Sequence, residues 1–359
     1  MIITKESETV KILKEMFSMA RTARTSTNVS AVEFVEKKGI LVRFDDSPRE
    51  IFIKNTDVDV GFSVSGSMFV TALVAGADSN GQVEITKENT EVKVGNFLFK
   101  DTESSYFNER EPNANPHIKF TKEQFAKLEN DFTVTIANYF SNPKNTDAIG
   151  FAINEGTLWE IAPGASLYKI AKIDAVVDEV QLAQDFGHED RIFLFPRKVF
   201  DLAKHSQNIE IYFNKDYEQI EINTDTVYLI YNPQRFGVNK FKSNLAVRQD
   251  GTLALSEFKA VIPMLEEITS HTFENVEDMN VTLKFHSNEI DSEIEDCHFK
   301  TTKETSVDED VTINTNIVAL LYVLKSMPKT AKIKEIEGDM IIVSNGDSYF
   351  YLPNGNFSN

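Results

Sequence analysis

The sequence predicts an α+β protein of three repeated domains, each with two helices packed on antiparallel sheet. Two patterns in the 359 residues support this fold class. A helix-like segment followed by two strand-like segments occurs three times. An amphipathic helix also precedes each of these segments. Three unrelated segments would share this order only by coincidence, so the repeat decides the predicted fold.

The helix-then-strands pattern occupies residues 66–100, 195–231 and 313–352. Each copy opens with apolar residues at helical spacing: Phe69, Ala72 and Leu73, then Val199, Leu202 and Ala203, then Val318, Leu321 and Leu324. Each copy then changes to the period-two alternation of half-buried strands: Val83 and Ile85, then Ile209, Ile211 and Phe213, then Ile333 and Ile336. Asn, Asp and Gly between these runs predict turns.

The preceding helices are predicted to start near Thr4, Thr121 and Ala254. Their apolar stripes are Val10, Leu13, Phe17 and Ala20, then Phe125, Leu128, Phe132 and Ile136, then Leu255, Phe258, Ile262, Leu265 and Ile268. Acidic residues follow the first two starts, as is common in a first helical turn. Pro263 interrupts the third stripe, and because proline removes a helical hydrogen bond we expect a kink or a displaced helix start there.

The repeat divides the chain into domains of 1–114, 115–244 and 245–359. The first boundary falls in a run rich in Pro and Asn at 111–116, and the second follows residues 242–244. Each domain then has an ordinary size for an independently packed unit.

Composition excludes several classes of protein. Hydrophobic residues make up 41% and charged residues 26% of the chain, as in globular proteins. No apolar run reaches the roughly 20 residues that span a bilayer. The N-terminus lacks the pattern of a signal peptide. The single cysteine, Cys297, fits a reducing compartment, so we expect a cytoplasmic protein.

The net charge of −19 argues against nucleic-acid binding unless the cations are concentrated on one surface. The first helix places Lys11, Lys14 and Arg21 on one stripe, and Arg24 follows in the next loop. Other repeat helices add cations, among them Lys122, Arg197 and Lys198, and also Lys127, Lys204, Lys259 and Lys325. Such a stripe is equally typical of the solvated face of any amphipathic helix.

Motifs of catalysis are missing from the sequence. There is no phosphate-binding or dinucleotide-binding glycine motif, and the six histidines show no metal-ligand spacing. We therefore predict no catalytic residue, no metal and no cofactor. Two alternatives stay open: a non-catalytic phage structural or scaffold protein, and a metal-dependent nuclease or hydrolase using Asp57 and Asp59.

Three segments carry a resemblance to a known family. Residues 196–213 are similar to the helix and following strand of the second domain of the bacterial and phage DNA polymerase processivity clamp, the β sliding clamp. Residues 158–167 resemble a strand and turn of that domain, with Gly164 and Leu167 matching and Ala165-Ser166 replacing a His-Arg pair. Residues 349–353 resemble the final strand, which ends in hydrophobic residues and a proline. The similarity is that of a divergent member, and a phage origin is compatible with it.

The resemblance implies a ring of two chains, closed head to tail, that encircles double-stranded DNA without reading its sequence. It also implies DNA polymerase and a clamp loader as partners, and no enzymatic activity. Lys11, Lys14, Arg21, Arg24, Lys122, Arg197 and Lys198 are the candidate DNA-binding residues.

The resemblance also places two protein interfaces. A hydrophobic pocket for partner peptides would be lined by Ala162, Gly164, Leu167, Phe350, Leu352 and Pro353. The homodimer interface would use Phe97 and Phe99 of one copy and Ile268 of the other. The segment Arg235-Phe236-Gly237 lacks the proline of the family's Arg-Phe-Pro, which bears on peptide specificity.

Overall fold

The computed structural model describes residues 1–4, 7–14, 29–45, 50–54, 57–66, 68–102, 115–128, 148–162, 167–187, 189–196, 203, 206–214, 219–231, 253–271, 279–294, 297–305, 307, 310–336 and 340–354. The strand pairs with a described register are antiparallel. Helices accompany the sheets, so the predicted α+β class is confirmed. By Cα proximity the chain forms two compact units, residues 1–128, 174–189 and 193–235, and residues 129–173, 190–192 and 236–359. The predicted three-domain division stays a prediction, and both of its boundaries lie outside the described residues.

The helices are short. They are Phe69–Ala75, Glu179–Phe186, Ile262–His271 and Ile317–Ser326, with a 3-10 helix at Leu255–Ala260. Residues 8–14 and 122–128 are also helical.

The first unit contains two sheets. The strands of the first third of the chain are β1 (Ile2–Thr4), β2 (Val29–Val35), β3 (Gly39–Phe44), β4 (Glu50–Lys54), β5 (Phe62–Ser65), β6 (Gln82–Glu88), β7 (Glu91–Val94) and β8 (Phe97–Lys100). Those of the middle third are β9 (Ile118–Thr121), β13 (Val176–Val177), β15 (Asn208–Asn214), β16 (Gln219–Thr224) and β17 (Val227–Tyr231). One sheet has the order β13-β9-β15-β16-β17-β4-β3-β2-β5, and the other has the order β1-β6-β7-β8.

The second unit also contains two sheets. The strands are β10 (Ala148–Asn154), β11 (Thr157–Ala162), β12 (Tyr168–Lys172), β14 (Arg191–Pro196), β18 (Leu253–Ala254), β19 (Asn280–Phe285), β20 (Glu289–Ile294), β21 (Cys297–Thr302), β22 (Val311–Asn316), β23 (Lys332–Ile336), β24 (Met340–Ser344) and β25 (Ser348–Pro353). One sheet has the order β14-β10-β11-β12-β25-β24-β23-β18, and the other has the order β21-β20-β19-β22. Of β14, Arg191 and Ile192 belong to this unit.

The predicted helix and strands are found in the first and third copies of the repeat, whereas Ala203, the described residue of the helix predicted in the middle copy, lies in a turn. The helix Phe69–Ala75 is followed by β6, β7 and β8, and the helix Ile317–Ser326 by β23, β24 and β25. In the middle copy β15, β16 and β17 follow in the predicted order. Most of the helix predicted before them lies outside the described residues.

One helix start differs from the prediction, and a second is displaced as expected. Thr4 ends β1, paired with Gln82, and the helix begins four residues later, where the Ser7 hydroxyl accepts from the Val10 amide at 3.4 Å. Near Pro263 the displaced start is confirmed: a 3-10 helix covers Leu255–Ala260, and Pro263 is the second residue of the following α-helix. Backbone N–H groups in the first turn of a helix have no helical acceptor, so the N–H that Pro263 lacks costs no helical hydrogen bond.

The predicted start at Thr121 is confirmed by a reciprocal cap. The Gln124 amide donates to the Thr121 hydroxyl at 3.3 Å, and the Thr121 amide donates to the Gln124 side-chain oxygen at 3.0 Å. This exchange satisfies two amides that the first helical turn would otherwise leave without partners.

Each unit has its own hydrophobic core. In the first unit Phe34 stacks on Phe62 with ring centroids 4.4 Å apart, and Phe69 packs edge-on against Phe34 at 5.4 Å. In the second unit the buried face of the helix Ile317–Ser326 packs against Ile341, Val343, Phe350 and Leu352 of the sheet. Since these rings and aliphatic chains are almost fully removed from water, they supply most of the driving force for folding.

Candidate functional site

The described candidate DNA-binding residues lie on the outer faces of two helices. Lys11 is exposed and Lys14 half-buried on the helical segment 8–14, whose opposite face buries Val10 and Leu13. Lys122 is exposed at the start of the segment 122–128. All three ammonium groups can therefore meet phosphate from solvent. Arg21, Arg24, Arg197 and Lys198 lie outside the described residues.

Two lysines of the described helices form ion pairs with acidic residues. Lys127 pairs with Asp174 at 2.7 Å, and Lys325 pairs with Glu266 at 2.8 Å, where Glu266 belongs to the helix Ile262–His271. Such exposed pairs stabilise the fold only slightly. They do partly neutralise the two lysines, so Lys11, Lys14 and Lys122 are the better candidates for phosphate contact.

The candidate peptide-pocket residues gather around strands β11, β12 and β25. Ala162 ends β11, Leu167 directly precedes β12, and Phe350, Leu352 and Pro353 lie on β25. Leu167, Phe350 and Leu352 belong to one hydrophobic core. These three and Ala162 are all buried, and Pro353 is half-buried. Gly164 lies outside the described residues.

Two half-buried side chains extend this cluster towards solvent. The Tyr322 ring packs edge-on against Phe350 at 6.0 Å, and Val318 lies one helical turn before Tyr322 and packs on the same core. Tyr322 was not among the residues predicted from the sequence. Its place beside Val318 could have been inferred, since the two residues are four apart and so share one face of the helix.

A buried ion pair joins β11 and β12 beside the candidate pocket residues. Lys169 of β12 lies 3.1 Å from Glu160 of β11, and their side chains are only 10% and 6% exposed. In the sheet Lys169 is opposite Ala162 on one side and Phe350 on the other. Neither charge was predicted, because no sequence pattern shows which strands become neighbours. A buried charge pair needs its partner to offset the loss of hydration.

The candidate dimer residues are half-buried side chains of an edge strand and a helix. Phe97 and Phe99 are half-buried on β8, an edge strand of its sheet among the described residues, and Phe99 packs on Phe69 at 5.9 Å. Leu98 between them is 63% exposed. Ile268 is half-buried on the helix Ile262–His271. Leu98, which was not predicted from the sequence, is the most exposed apolar side chain of this strand.

The residues proposed for alternative chemistry do not assemble into a metal site. Asp59 lies 3.5 Å from the N-terminal amine. Within the described ranges, no three His, Cys, Asp or Glu side chains are grouped so as to hold a metal ion. None of the described helices has the length and apolar character needed to cross a membrane.

Comparison with known proteins identifies the fold. No protein-family model matches the chain, and no curated protein matches it either. Solved structures match over 99% of both chains. They include the Helicobacter pylori beta clamp bound to a DNA ligase peptide (TM-score 0.60, 11% identity), the DNA polymerase III subunit beta of Pseudomonas aeruginosa (0.63, 13%) and that of Borrelia burgdorferi (0.62, 14%). The chain therefore has the fold of the bacterial β sliding clamp along its whole length.

Proposed function

We propose that this chain is a sliding clamp, a non-catalytic subunit of a ring that encircles duplex DNA and tethers DNA polymerase to it. The observation that carries the proposal is the agreement with clamp structures over 99% of the chain. Fold alone does not fix function. The proposal therefore also draws on exposed lysines for the DNA and on a hydrophobic cluster for the partners.

Two copies, each with three domains at 1–114, 115–244 and 245–359, would close head to tail into the ring. A closed ring holds DNA topologically and needs few phosphate contacts. Lys11, Lys14 and Lys122 would supply part of these, together with Arg21, Arg24, Arg197 and Lys198. Contacts of this kind are independent of base sequence and weaken as salt rises. The net charge of −19 would then reside mainly on the surfaces that face away from the DNA.

Partner proteins would bind at the hydrophobic cluster of Ala162, Gly164, Leu167, Phe350, Leu352 and Pro353. Because the described apolar side chains of this set are buried apart from Pro353, a peptide would first meet Pro353, Tyr322 and Val318. The H. pylori clamp, which has this fold, binds a DNA ligase peptide, and this supports a peptide partner here. DNA polymerase and a clamp loader are the proposed partners in a cytoplasmic replication complex.

The benefit of tethering is one of effective concentration. A polymerase that dissociates from the primer end but stays attached to the ring rebinds in an intramolecular step, at an effective concentration on the order of millimolar. This gain requires no chemistry from the clamp itself.

Native mass spectrometry combined with small-angle scattering tests the proposal. An annular homodimer is the expected result. A monomer at all accessible concentrations, or an open filament, would contradict it, and a filament would favour the alternative of a structural or scaffold protein. A nuclease assay with added Mg²⁺ tests the hydrolase alternative, in which Asp57→Ala should abolish activity; we expect no activity in either protein.

A further inference from the structure

In the described part of the chain, the two longest sheets match strand for strand except at one edge. Each contains one pairing between strands far apart in sequence. Val227 begins β17 and lies opposite Ile53 of β4, and Ser348 begins β25. Ser348 lies opposite Ala171 of β12, which like Ile53 is the next-to-last residue of its strand. Aligned on these pairings, β9-β15-β16-β17-β4-β3-β2-β5 corresponds to β18-β23-β24-β25-β12-β11-β10-β14, so β13, beyond β9, is an addition to one sheet.

The added strand and the helix that follows it expose apolar side chains to solvent. Val176 of β13 is 66% exposed, and Val180 of the helix Glu179–Phe186 is 68% exposed. Ala183, one helical turn after Val180, is exposed too. Apolar side chains that lie close together and are rimmed by polar groups are typical of a protein contact site.

The rim of these side chains is acidic. Between residues 174 and 187 the chain has four acidic residues and no Lys, Arg or His. Asp185 is fixed in place, since its Oδ2 lies 2.8 Å from Nε2 of the buried His117. Asp174 pairs with Lys127, which comes from outside this stretch. The exposed valines therefore lie in a negative field.

The face of the sheet beside β13 adds two carboxylates. Val176 lies opposite Lys119, and Lys119 lies opposite Glu210, so these side chains share the face that points away from the core. Glu221 of β16 lies on the same face and is half-buried. Lys119 Nζ is 3.5 Å from Glu210, and because the two side chains are 57% and 28% exposed this pair is weak. A cation from a partner can therefore take the place of Lys119.

Hydrogen bonds hold the two carboxylates in place. The Tyr212 hydroxyl and the side-chain amide of Asn223 donate to Glu210 at 2.9 and 3.0 Å. The Tyr228 hydroxyl donates to Glu221 at 2.6 Å. Burial, together with the hydrogen bond to Glu210, raises the pKa of Tyr212, so its hydroxyl stays protonated and remains a donor. Both carboxylates are thus oriented before a partner arrives, which lowers the cost of ordering them on binding.

The corresponding face of the other sheet lacks these acids. By the strand alignment, Lys332 of β23 occupies the position of Glu210, and Ile342 of β24 occupies the position of Glu221. The same positions of the fold thus accept a cation or an apolar side chain. The fold itself therefore does not require the two acids, which favours a role in binding.

We propose that the exposed face of β13 and its neighbouring helix, which we call the β13 surface, binds a protein segment that carries Lys or Arg beside apolar side chains. The surface consists of Val176, Val180, Ala183, Glu210 and Glu221. Its acids repel the phosphates of nucleic acid. A second copy of the chain, with a net charge of −19, is disfavoured for the same reason. A basic segment is attracted by charge and covers the valines.

The spacing of the β13 surface suits an extended segment. Adjacent strands lie about 4.8 Å apart, so Val176 and Glu210, which are separated by one strand, lie about 10 Å apart. An extended chain covers this distance in about three residues. An apolar side chain over Val176 and an Arg over Glu210 are then about three positions apart in the partner. The surface shares no residue with those proposed above to bind DNA or peptides.

Fluorescence anisotropy of a labelled synthetic peptide with the full-length protein tests the proposal. The probe is a short peptide of Arg and Leu in which each Arg stands three positions from a Leu. Two reference peptides carry Glu in place of Arg, or Ser in place of Leu. The Arg–Leu peptide should bind, and both reference peptides should bind about fivefold more weakly or worse.

Replacement of the exposed valines should weaken binding of the Arg–Leu peptide. Val176→Ser with Val180→Ser should raise its dissociation constant about fivefold or more. The fold should stay intact, because both side chains are exposed. Ile2→Ser, which removes an apolar side chain that is 65% exposed on another sheet, is the matched control and should leave the affinity unchanged.

Replacement of the carboxylates should have a similar effect. Glu210→Gln with Glu221→Gln should weaken binding of the Arg–Leu peptide, whereas Glu88→Gln with Glu91→Gln, an equal change of charge at the exposed β6–β7 turn, should not. An equal loss in both double variants would mean general attraction to an acidic protein and would overturn the proposal.

Two further results would also overturn the proposal. One is equal affinity for all three peptides. The other is a change in native mass when both valines are replaced, since the β13 surface would then hold a second copy of the chain. The proposed ring is tested separately, by the native mass of the unmodified protein.

Discussion

Nε2 of His117 and Oδ2 of Asp185 lie 2.8 Å apart and join the helix Glu179–Phe186 to the buried end of strand β9. On the other side of the ring, Nδ1 accepts from the Phe213 amide at 3.1 Å. Since Nδ1 is an acceptor, the ring proton resides on Nε2 and is donated to Asp185. His117 is only 2% exposed and is flanked by Phe186 and Phe213. Its burial, and the Phe213 amide that donates to Nδ1, therefore favour the neutral form of His117.

This arrangement predicts a loss of stability in mild acid. Burial lowers the pKa of His117 below its ordinary value, although the hydrogen bond and charge of Asp185 and the charge of Asp178 oppose the shift. The unfolded chain therefore takes up a proton at a higher pH than the folded one. The stabilisation is complete above roughly pH 6.5 and declines as pH falls through the folded pKa. Protonation would also set an N–H at Nδ1 against the Phe213 amide.

Urea denaturation at several pH values between 5 and 8 measures this effect. The free energy of unfolding should fall towards pH 5, and His117→Gln, which does not titrate, should flatten this part of the profile. A wild-type stability that is constant or rises towards pH 5 would show that His117 is not held neutral.

The buried pair Glu160–Lys169 predicts a strong asymmetry between single and double substitutions. Glu160→Gln or Lys169→Met leaves one buried charge without its partner and should cost about 3–5 kcal/mol. Replacing both, as Glu160→Leu with Lys169→Met, removes both charges and should recover most of that loss. The measurement is the free energy of unfolding in urea.

An exposed pair serves as the matched control for this cycle. Lys127 and Asp174 are 63% and 66% exposed, so Lys127→Met should cost less than about 1 kcal/mol. If the double variant at 160 and 169 is no more stable than the single ones, the loss comes from packing rather than from an unpaired charge.

If Lys11 and Lys14 of segment 8–14 contact phosphate, their replacement should change the salt dependence of DNA binding. Lys11→Glu with Lys14→Glu should weaken binding to a short duplex for all sequences alike, and should lower the slope of log affinity against log salt by about 2. Fluorescence anisotropy at several salt concentrations gives this slope. Lys37→Glu, at an exposed turn between β2 and β3, is the control. An equal loss from both variants would indicate a general charge effect.

Substitution of Tyr322 should weaken the binding of a partner peptide and leave the fold intact. Tyr322→Ala removes a half-buried ring at the rim of the hydrophobic cluster and should reduce affinity for a peptide of the cognate polymerase by about tenfold or more. Calorimetric titration measures the affinity, with Lys329→Ala, an exposed residue beyond the helix, as control. Unchanged peptide affinity in Tyr322→Ala would place the peptide elsewhere.

Several elements could be predicted because their signals are local. The apolar spacing of Phe69, Ala72 and Leu73 predicted a helix that the structure contains, and the acidic residue that follows Thr121 indicated a helix start there. The helix Glu179–Phe186 was not predicted. Only Leu182 and Phe186 are buried in it, and two apolar residues in eight are too few to indicate a period.

The strands of the candidate site could be predicted from the sequence, but its buried pair of charges could not. Leu167, Phe350 and Leu352, which only the resemblance to the clamp family had grouped together, share one hydrophobic core. Glu160 and Lys169 look in the sequence like the solvated positions of two strands, since charged side chains are rarely buried. Only the pairing of β11 with β12 brings the two charges together and permits their burial.

The sequence by itself determined the order of helices and strands and its repetition, because helical and strand periods are properties of neighbouring side chains. Only the tertiary structure decided which distant strands pair, as β4 pairs with β17 and β12 pairs with β25. The hydrogen bonds between paired strands come mainly from backbone groups, which every residue except proline carries alike. Partner choice between strands therefore leaves little trace in the sequence, and it appears only when the sheets are assembled.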